Sequence, residues 1–337
     1  MSAVGKNPGA AEGAGQARSS LLNISRMRPW EPVLWLLAFA VPLLLPGQAL
    51  MANEIAIVAL FAVSLDLVLG YVGIVSLGHA AFFGMGAYAA ALFAKHVMPD
   101  PLVGLVFGVA TATLLGAVCS LTVMRGTDLT RLMVTLGVGL IMMELANKLD
   151  WLTGGADGLQ GVVMGPVLGH FEFDLYGRTA AWYSLTVLLL CFVLVRRLVY
   201  SPLGATFKAI RDNQLRAGAI GIPVNARIAV AYTIAAALAG ASGALLAQTT
   251  GFASLDVFDF HRSADIMLIL IVGGTGWLYG GVAGAIVFKL MYDVLASITP
   301  QYWTFWLGLF LVVLVHVGRE RLFKPWTWFG SKKQERA

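Results

Sequence analysis

Three ionisable side chains, Asp66, His79 and Glu144, stand inside runs of otherwise apolar sequence. A charge in that setting is expensive, and where it occurs it pairs, packs inward or carries an ion or proton. Ion coupling or proton relay is therefore the chemistry these residues could do. Their spacing favours quieter roles. Glu144 has Lys148 four residues on, the arrangement of an interfacial ion pair. Asp66 lies about one turn from the end of its run, within reach of a headgroup layer. His79 sits among glycines and is expected to hydrogen-bond a neighbouring helix as a structural histidine.

No catalytic or metal-binding pattern accompanies them. His79, His96, His170, His261 and His316 are scattered without HExxH spacing. Cys119 and Cys191 are isolated inside apolar runs, so neither a disulfide nor a metal site is expected. The glycine-rich stretch LTGGADGLQGV, residues 152–162, reads as a set of turns, because the chain has no GxxxxGK[ST] phosphate loop.

The elements that must position these residues follow from composition. The chain has 337 residues, 58% hydrophobic and 12% charged, whereas soluble domains carry about 25% charged residues. Uncharged runs of about 18 residues or more are long enough to cross a bilayer as helices. The predicted fold is an all-α polytopic bundle of about eight to ten spans, near 33–50, 54–71, 74–94, 101–124, 129–147, 180–198, 228–250, 264–274, 276–296 and 303–318. The eighth is short and reads as either extended upstream or broken. The 38 glycines suit close helix packing. The net charge of +5 resides in loops and termini. The N-terminal tail, Arg125 with Arg131, the 196–227 segment and the C-terminal basic residues fall on one side. The acidic loops 148–179 and 251–263 fall on the other. That sorting predicts cytoplasmic termini. Residues 1–30 and 319–337 read as basic cytoplasmic tails flanking a membrane domain over 31–318. The first of them is no signal peptide, because no small-residue cleavage pattern follows the apolar run 33–45.

Two glycine-rich stretches interrupt the spans. GYVGIVSLGHAAFFGMGAYAAAL, residues 70–92, contains Ser76, Gly78, His79, Gly84 and Gly86. VGGTGWLYGGVAGA, residues 272–285, contains Gly273, Gly274 and Thr275. Either tight helix packing or partial unwinding around a cavity accounts for them. A third stretch, SPLGATFKAIRDNQLRAGAIGIPVNAR, residues 201–227, is charged and cytoplasmic by the topology above. Ser201 and Pro202 suit a helix start. Leu203, Phe207 and Ile210 make an apolar stripe, and Lys208 and Asp212 are spaced to pair. Asp212 and Asn213 suit the cap of a second short helix, Gly221 its end, and Pro223 blocks continuation. The segment is either one bent helix or two short ones.

LDLVLGYVGIVSLGHAAFFGMGAYAAAL, TGGADGL, SPLGATFKAIRDNQLRAGAIGI, AALAGASGALLA and DIMLILIVGGTGWLYGGVAGA occur here in order, over about residues 50–317. Together they resemble permease subunits of branched-chain amino-acid ABC importers. The resemblance implies a type II-like permease fold in a bacterial inner membrane, working with a second homologous permease, two P-loop ATPases and a periplasmic binding protein. It implies that 201–225 is the cytoplasmic segment coupling to the ATPase, with Gly204, Arg211, Asp212, Asn213, Gly221, Ile222 and Pro223 as its contact residues. The chain departs from the family at Gln214 and Gly218, where acidic residues are common. By the same resemblance the chain binds no cofactor and has no catalytic site, and ATP is used by the partner subunits. Ser76, Gly78, His79, Gly84, Gly86, Gly273, Gly274 and Thr275 are the expected pathway wall and joints. Asp157, Glu172, Asp174, Asp256 and Asp259 are the expected face for the binding protein. Related permeases serve urea, other amides or aromatic acids, and a stand-alone secondary transporter is the alternative of a different class.

Overall fold

The computed structural model describes residues 30–312 except 125, 127, 175, 299–300, 303–304, 307 and 311. The predicted tails, Arg125 and most of the 303–318 span lie outside the described residues. Twelve α-helices are described: α1 Trp30–Leu44, α2 Ala49–Leu69, α3 Ala80–His96, α4 Pro101–Val123, α5 Asp128–Lys148, α6 Asp150–Thr153, α7 Arg178–Val199, α8 Pro202–Asp212, α9 Gln214–Ala219, α10 Val224–Thr250, α11 Phe260–Gly273 and α12 Gly280–Ile298. There is no strand among the described residues, only two isolated bridges.

Six of these helices, α2, α4, α5, α7, α10 and α12, are long and apolar enough to cross a membrane. The fold is an all-helical, multi-pass membrane bundle. Helix α10 lies at its centre, packed against α4, α3 and α2. It can do so because most of its buried residues between Ala231 and Ala247 are Ala or Gly. A methyl at Gly86 would overlap the Gly240 backbone, and one at Gly240 would overlap the Ala112 side chain. Small residues let three backbones approach where lipid supplies no hydrophobic drive between helices.

Two predicted spans are shorter than expected. The span placed over 74–94 is helical only from Ala80, and residues 70–79 are turns and extended chain. Gly73, at φ +82°, lets the chain leave the helical path there. The spans placed over 264–274 and 276–296 are separated by a break at 274–279, in which Gly274 and Gly276 have φ of +97° and +73°. Helices α11 and α12 fold against each other across it. A methyl at Gly273 would overlap the Gly280 carbonyl, and one at Gly284 would overlap the Ile269 carbonyl.

Helix α1 is fastened to α7 by a buried ion pair. Glu31 accepts from Arg196 Nη1, with side chains 5% and 7% exposed.

Candidate functional site

The two breaks meet. Asp66, in the last turn of α2 and 3% exposed, accepts a hydrogen bond from Gly276 N at 2.8 Å. Its backbone carbonyl accepts from Gly70 N at 2.7 Å and Tyr71 N at 3.1 Å, which ends α2 and starts the first break. So one residue closes a helix with its backbone and holds the other break with its side chain. Asp66 does not reach for a headgroup layer, because its carboxylate already has an inward partner.

Helix α8 reaches the same point. Phe207 and Ile210 of its apolar stripe are fully buried, and Leu203 is half-buried. This anchoring carries Arg211 to the junction, where Nη1 donates to Gly70 O. Glycine is needed on both sides of the guanidinium. A Cβ at Gly73 would sit 3.0 Å from Arg211 Cγ, and one at Gly276 would sit 2.7 Å from Arg211 Nη1. Lys208 does not pair with Asp212. Its ammonium lies over the Tyr71 and Tyr200 rings, at 5.7 and 5.9 Å, where a cation is attracted to the ring faces.

The 201–225 segment is two helices, not one. Asn213 breaks it in an extended conformation and accepts from Arg216 N at 2.9 Å as the cap of α9. Pro202 is the first residue of α8, but Ser201 does not cap with its side chain, since its hydroxyl donates back to Leu198 O at 2.6 Å. Gly204 is buried where a methyl would overlap Val199 O, so it permits the tight α7–α8 corner. Gly221 has φ +89° with nothing near a Cβ position, so its requirement is conformational. Pro223 directly precedes α10. Arg211, Asp212, Asn213, Gly221 and Pro223 are exposed and Ile222 is half-buried. Two further apolar side chains, Leu215 at 88% and Ile220 at 70%, are exposed on this segment. Exposed aliphatics on a charged surface helix were a legible signal for them.

The other expected joints divide into two groups. Gly84 and Gly86 are packing positions, against the Phe258 ring and the Gly240 backbone. Gly78 abuts the Thr135 carbonyl of α5. Gly273 and Gly274 form the α11 end of the second break, and Thr275 is exposed within it. Ser76 Oγ lies 3.4 Å from Tyr232 OH. His79 is wholly buried, with Nε2 2.9 Å from Ser64 Oγ and its ring stacked on Phe61. The Ser64 hydroxyl donates to Phe61 O, so Nε2 is the donor to Ser64. His79 Nδ1 has no hydrogen-bond partner among the described residues. The hydrogen bond to a neighbouring helix is the one expected of His79. Glu144 and Lys148 form the expected exposed pair at 3.5 Å.

At the opposite end, the two acidic loops are joined by the Leu159–Ala253 bridge, with Leu159 N donating to Ala253 O at 2.7 Å. Asp157, Glu172 and Asp256 are exposed, while Asp174 and Asp259 are half-buried. Asp174 accepts from Thr179 N, Asp259 caps α11 at His261 N, and Asp256 pairs with Arg262 at 2.5 Å. Glu54, Asp265 and Lys289 were also legible as charges inside predicted spans. They gather around a cavity between α2, α3, α10, α11 and α12.

Residues 49–316 match the family described as branched-chain amino acid transport system / permease component. The high-affinity branched-chain amino acid transport system permease protein LivM of Salmonella typhimurium is 28% identical over 308 residues, which covers 83% of this chain and 71% of that protein. The protein of the same name from Escherichia coli K12 is 28% identical over 322 residues, covering 87% and 74%. The autoinducer 2 import system permease protein LsrC of Klebsiella pneumoniae is 29% identical over 225 residues, covering 63% and 62%. No solved structure matches the chain.

Proposed function

We propose, on the premise that this chain belongs to the branched-chain amino acid transport permease family, that it is one half of the pathway of an ATP-driven importer of type II-like architecture. A second, homologous permease supplies the other half, two P-loop ATPases bind from the cytoplasm, and a periplasmic binding protein delivers the cargo. The chain lies in a bacterial inner membrane with both termini cytoplasmic. It hydrolyses nothing itself and binds no cofactor, and ATP is spent by the partners. The cargo is leucine, isoleucine or valine, after the branched-chain amino acids for which its relatives are named. Urea, other amides or aromatic acids are the alternative within the same family.

The observation that carries this reading is the Asp66 junction. Helices α8 and α9 form a capped unit whose Arg211 is bonded to the first break and lies against the second. A partner that displaces this unit acts on both breaks at once, as a rigid lever on two hinges. The exposed Leu215 and Ile220 supply an apolar tip for such a partner. The partner's ATP-dependent states then favour one arrangement of the pathway over another. The acidic loops, joined at the opposite end, are the proposed face for the binding protein. A stand-alone secondary transporter would draw on Asp66 and Glu144, and both are otherwise engaged.

Affinity purification of the tagged chain in mild detergent tests the proposal. A second permease and two ATPases are expected to co-purify, and Gly221→Asp with Ile222→Asp is expected to release the ATPases while the permease pair remains. A chain that purifies alone and transports without ATP would overturn it.

A further inference from the structure

Four charged side chains, two of each sign, surround one cavity of about 360 Å³. Glu54 of α2 and Lys289 of α12 form an ion pair in its wall, Arg262 and Asp265 of α11 line the same space, and Arg262 also pairs with Asp256 at 2.5 Å, so a bound ligand would exchange with these partners. The rest of the wall is apolar and aromatic, including Ile57, Phe61, Phe83, Ile266 and Phe288. Asn53 is buried beside it and held in place, donating to Thr249 Oγ1 and accepting from Ser184.

We infer that this cavity is a binding subsite for a free α-amino acid with an apolar side chain, taken as its zwitterion. The inference deepens the importer reading and rests on it. Ligand sites typically enclose about 300–1,000 Å³, so this one lies at the small end and suits a single amino acid. Charge is the sharper criterion. A cation alone would call for surplus carboxylate, and an anion for surplus ammonium or guanidinium. The lining here sums to zero with both signs present, the complement of a net-neutral ligand carrying both. A neutral amide would need neither.

The geometry assigns the parts. Lys289 and Arg262 receive the carboxylate, through charge-assisted hydrogen bonds. Glu54 and Asp265 receive the ammonium. The Phe61 and Phe83 rings, 4.6 Å apart, form a floor against which the aliphatic side chain rests. His79 stacks behind Phe61 with centroids 5.7 Å apart and closes the floor toward the α8 end. Arg262 lies 5.9 Å from the Phe83 ring, so floor and charged wall are in contact.

Cysteine protection tests this. Val58→Cys and Leu246→Cys, each at a half-buried lining position, are made in a chain whose Cys119 and Cys191 are replaced by Ala. The chain is purified with its co-purifying subunits, without binding protein, and the rate of methanethiosulfonate modification is measured. L-Leucine is expected to slow both reporters. Leucinol, lacking the carboxylate, and 4-methylpentanoate, lacking the ammonium, are expected not to at equal concentration. Leu114→Cys, on the exposed face of α4, serves as the unprotected control. Lys289→Gln or Asp265→Asn is expected to raise the leucine needed for half-protection about tenfold, the loss of one charge-assisted contact. No protection by leucine, or equal protection by all three compounds, would overturn the subsite. ATP-driven leucine uptake by the same preparation, with binding protein added, separates the two readings. Uptake without protection removes the subsite and keeps the importer. Protection without ATP-driven uptake keeps the subsite and removes the importer.

Discussion

Asp66 stands where an acceptor matters more than a charge. Its carboxylate takes the Gly276 N–H, and its backbone carbonyl ends α2. Asp66→Asn keeps an acceptor and is expected to fold and transport. Asp66→Ala leaves the Gly276 N–H without its partner, at a cost of about 1–3 kcal/mol. The expected result is a lower melting temperature in detergent and a loss of ATP-driven uptake for the alanine variant alone. Equal loss in both variants would mean that the charge itself is used. Glu31 differs, because its partner is a cation. Glu31→Ala leaves Arg196 buried with its carboxylate removed, and breaking such a pair costs about 3–5 kcal/mol. Tyr279 OH and the Tyr200 ring remain near Arg196, so the low end of that range is expected. Thermal unfolding of Glu31→Ala against Glu31→Gln, which keeps the hydrogen-bond acceptor, measures the difference.

At the scale of elements, the breaks at 70–79 and 274–279 are the informative features. Each is a non-helical run inside a predicted span, and at membrane depth such a run must be buried in protein or line a cavity. Here Arg211 of α8 satisfies the first run at Gly70 O, and Asp66 of α2 satisfies the second at Gly276 N. The α11–α12 pair closes because a side chain at Gly273, Gly280 or Gly284 would overlap the facing backbone. Gly273→Leu with Gly274→Leu inserts bulk against the Gly280 carbonyl and puts a branched side chain at φ +97°. Overpacking alone typically costs about 1–3 kcal/mol. Uptake is expected to fall to background while the protein still inserts, as membrane fractionation beside uptake would show. Surviving uptake would mean that this contact opens without consequence.

At the scale of the whole molecule, the bundle has two ends joined by α2 and α10. One end carries α8 and α9 with an exposed apolar tip, and the other carries the bridged acidic loops. The charge-balanced cavity lies along α2 beyond the phenylalanine floor. Helix α2 thus runs from Glu54 at the cavity, past Phe61 in the floor, to Asp66 at the junction. This continuity gives a route by which displacement of α8 bears on the cavity. The protection and co-purification experiments meet at this point. The Gly221→Asp, Ile222→Asp variant is expected to release the ATPases and still show leucine protection, because the cavity is built from α2, α3, α10, α11 and α12 and not from α8 or α9.

The helical, membrane-crossing character was legible from the sequence alone, because long uncharged runs have no other stable form in lipid. So were the start of 201–225 at Pro202 and its stop at Gly221 and Pro223, which act through their own backbones and immediate neighbours, whereas the choice between one bent helix and two short ones fell to the structure. The Glu144–Lys148 pair was legible for the same reason, being four residues apart on one helix. Composition left open whether the glycines mark packing or unwinding, and the answer is both. Gly84 and Gly86 pack, while Gly73, Gly274 and Gly276 turn, and only the position of the opposing backbone separates the two. Asp66 meets a residue 210 positions away, and Arg211 one 141 positions away. The cavity draws its charges from three helices. Contacts of that separation leave no local pattern of spacing, so the tertiary structure alone decided them.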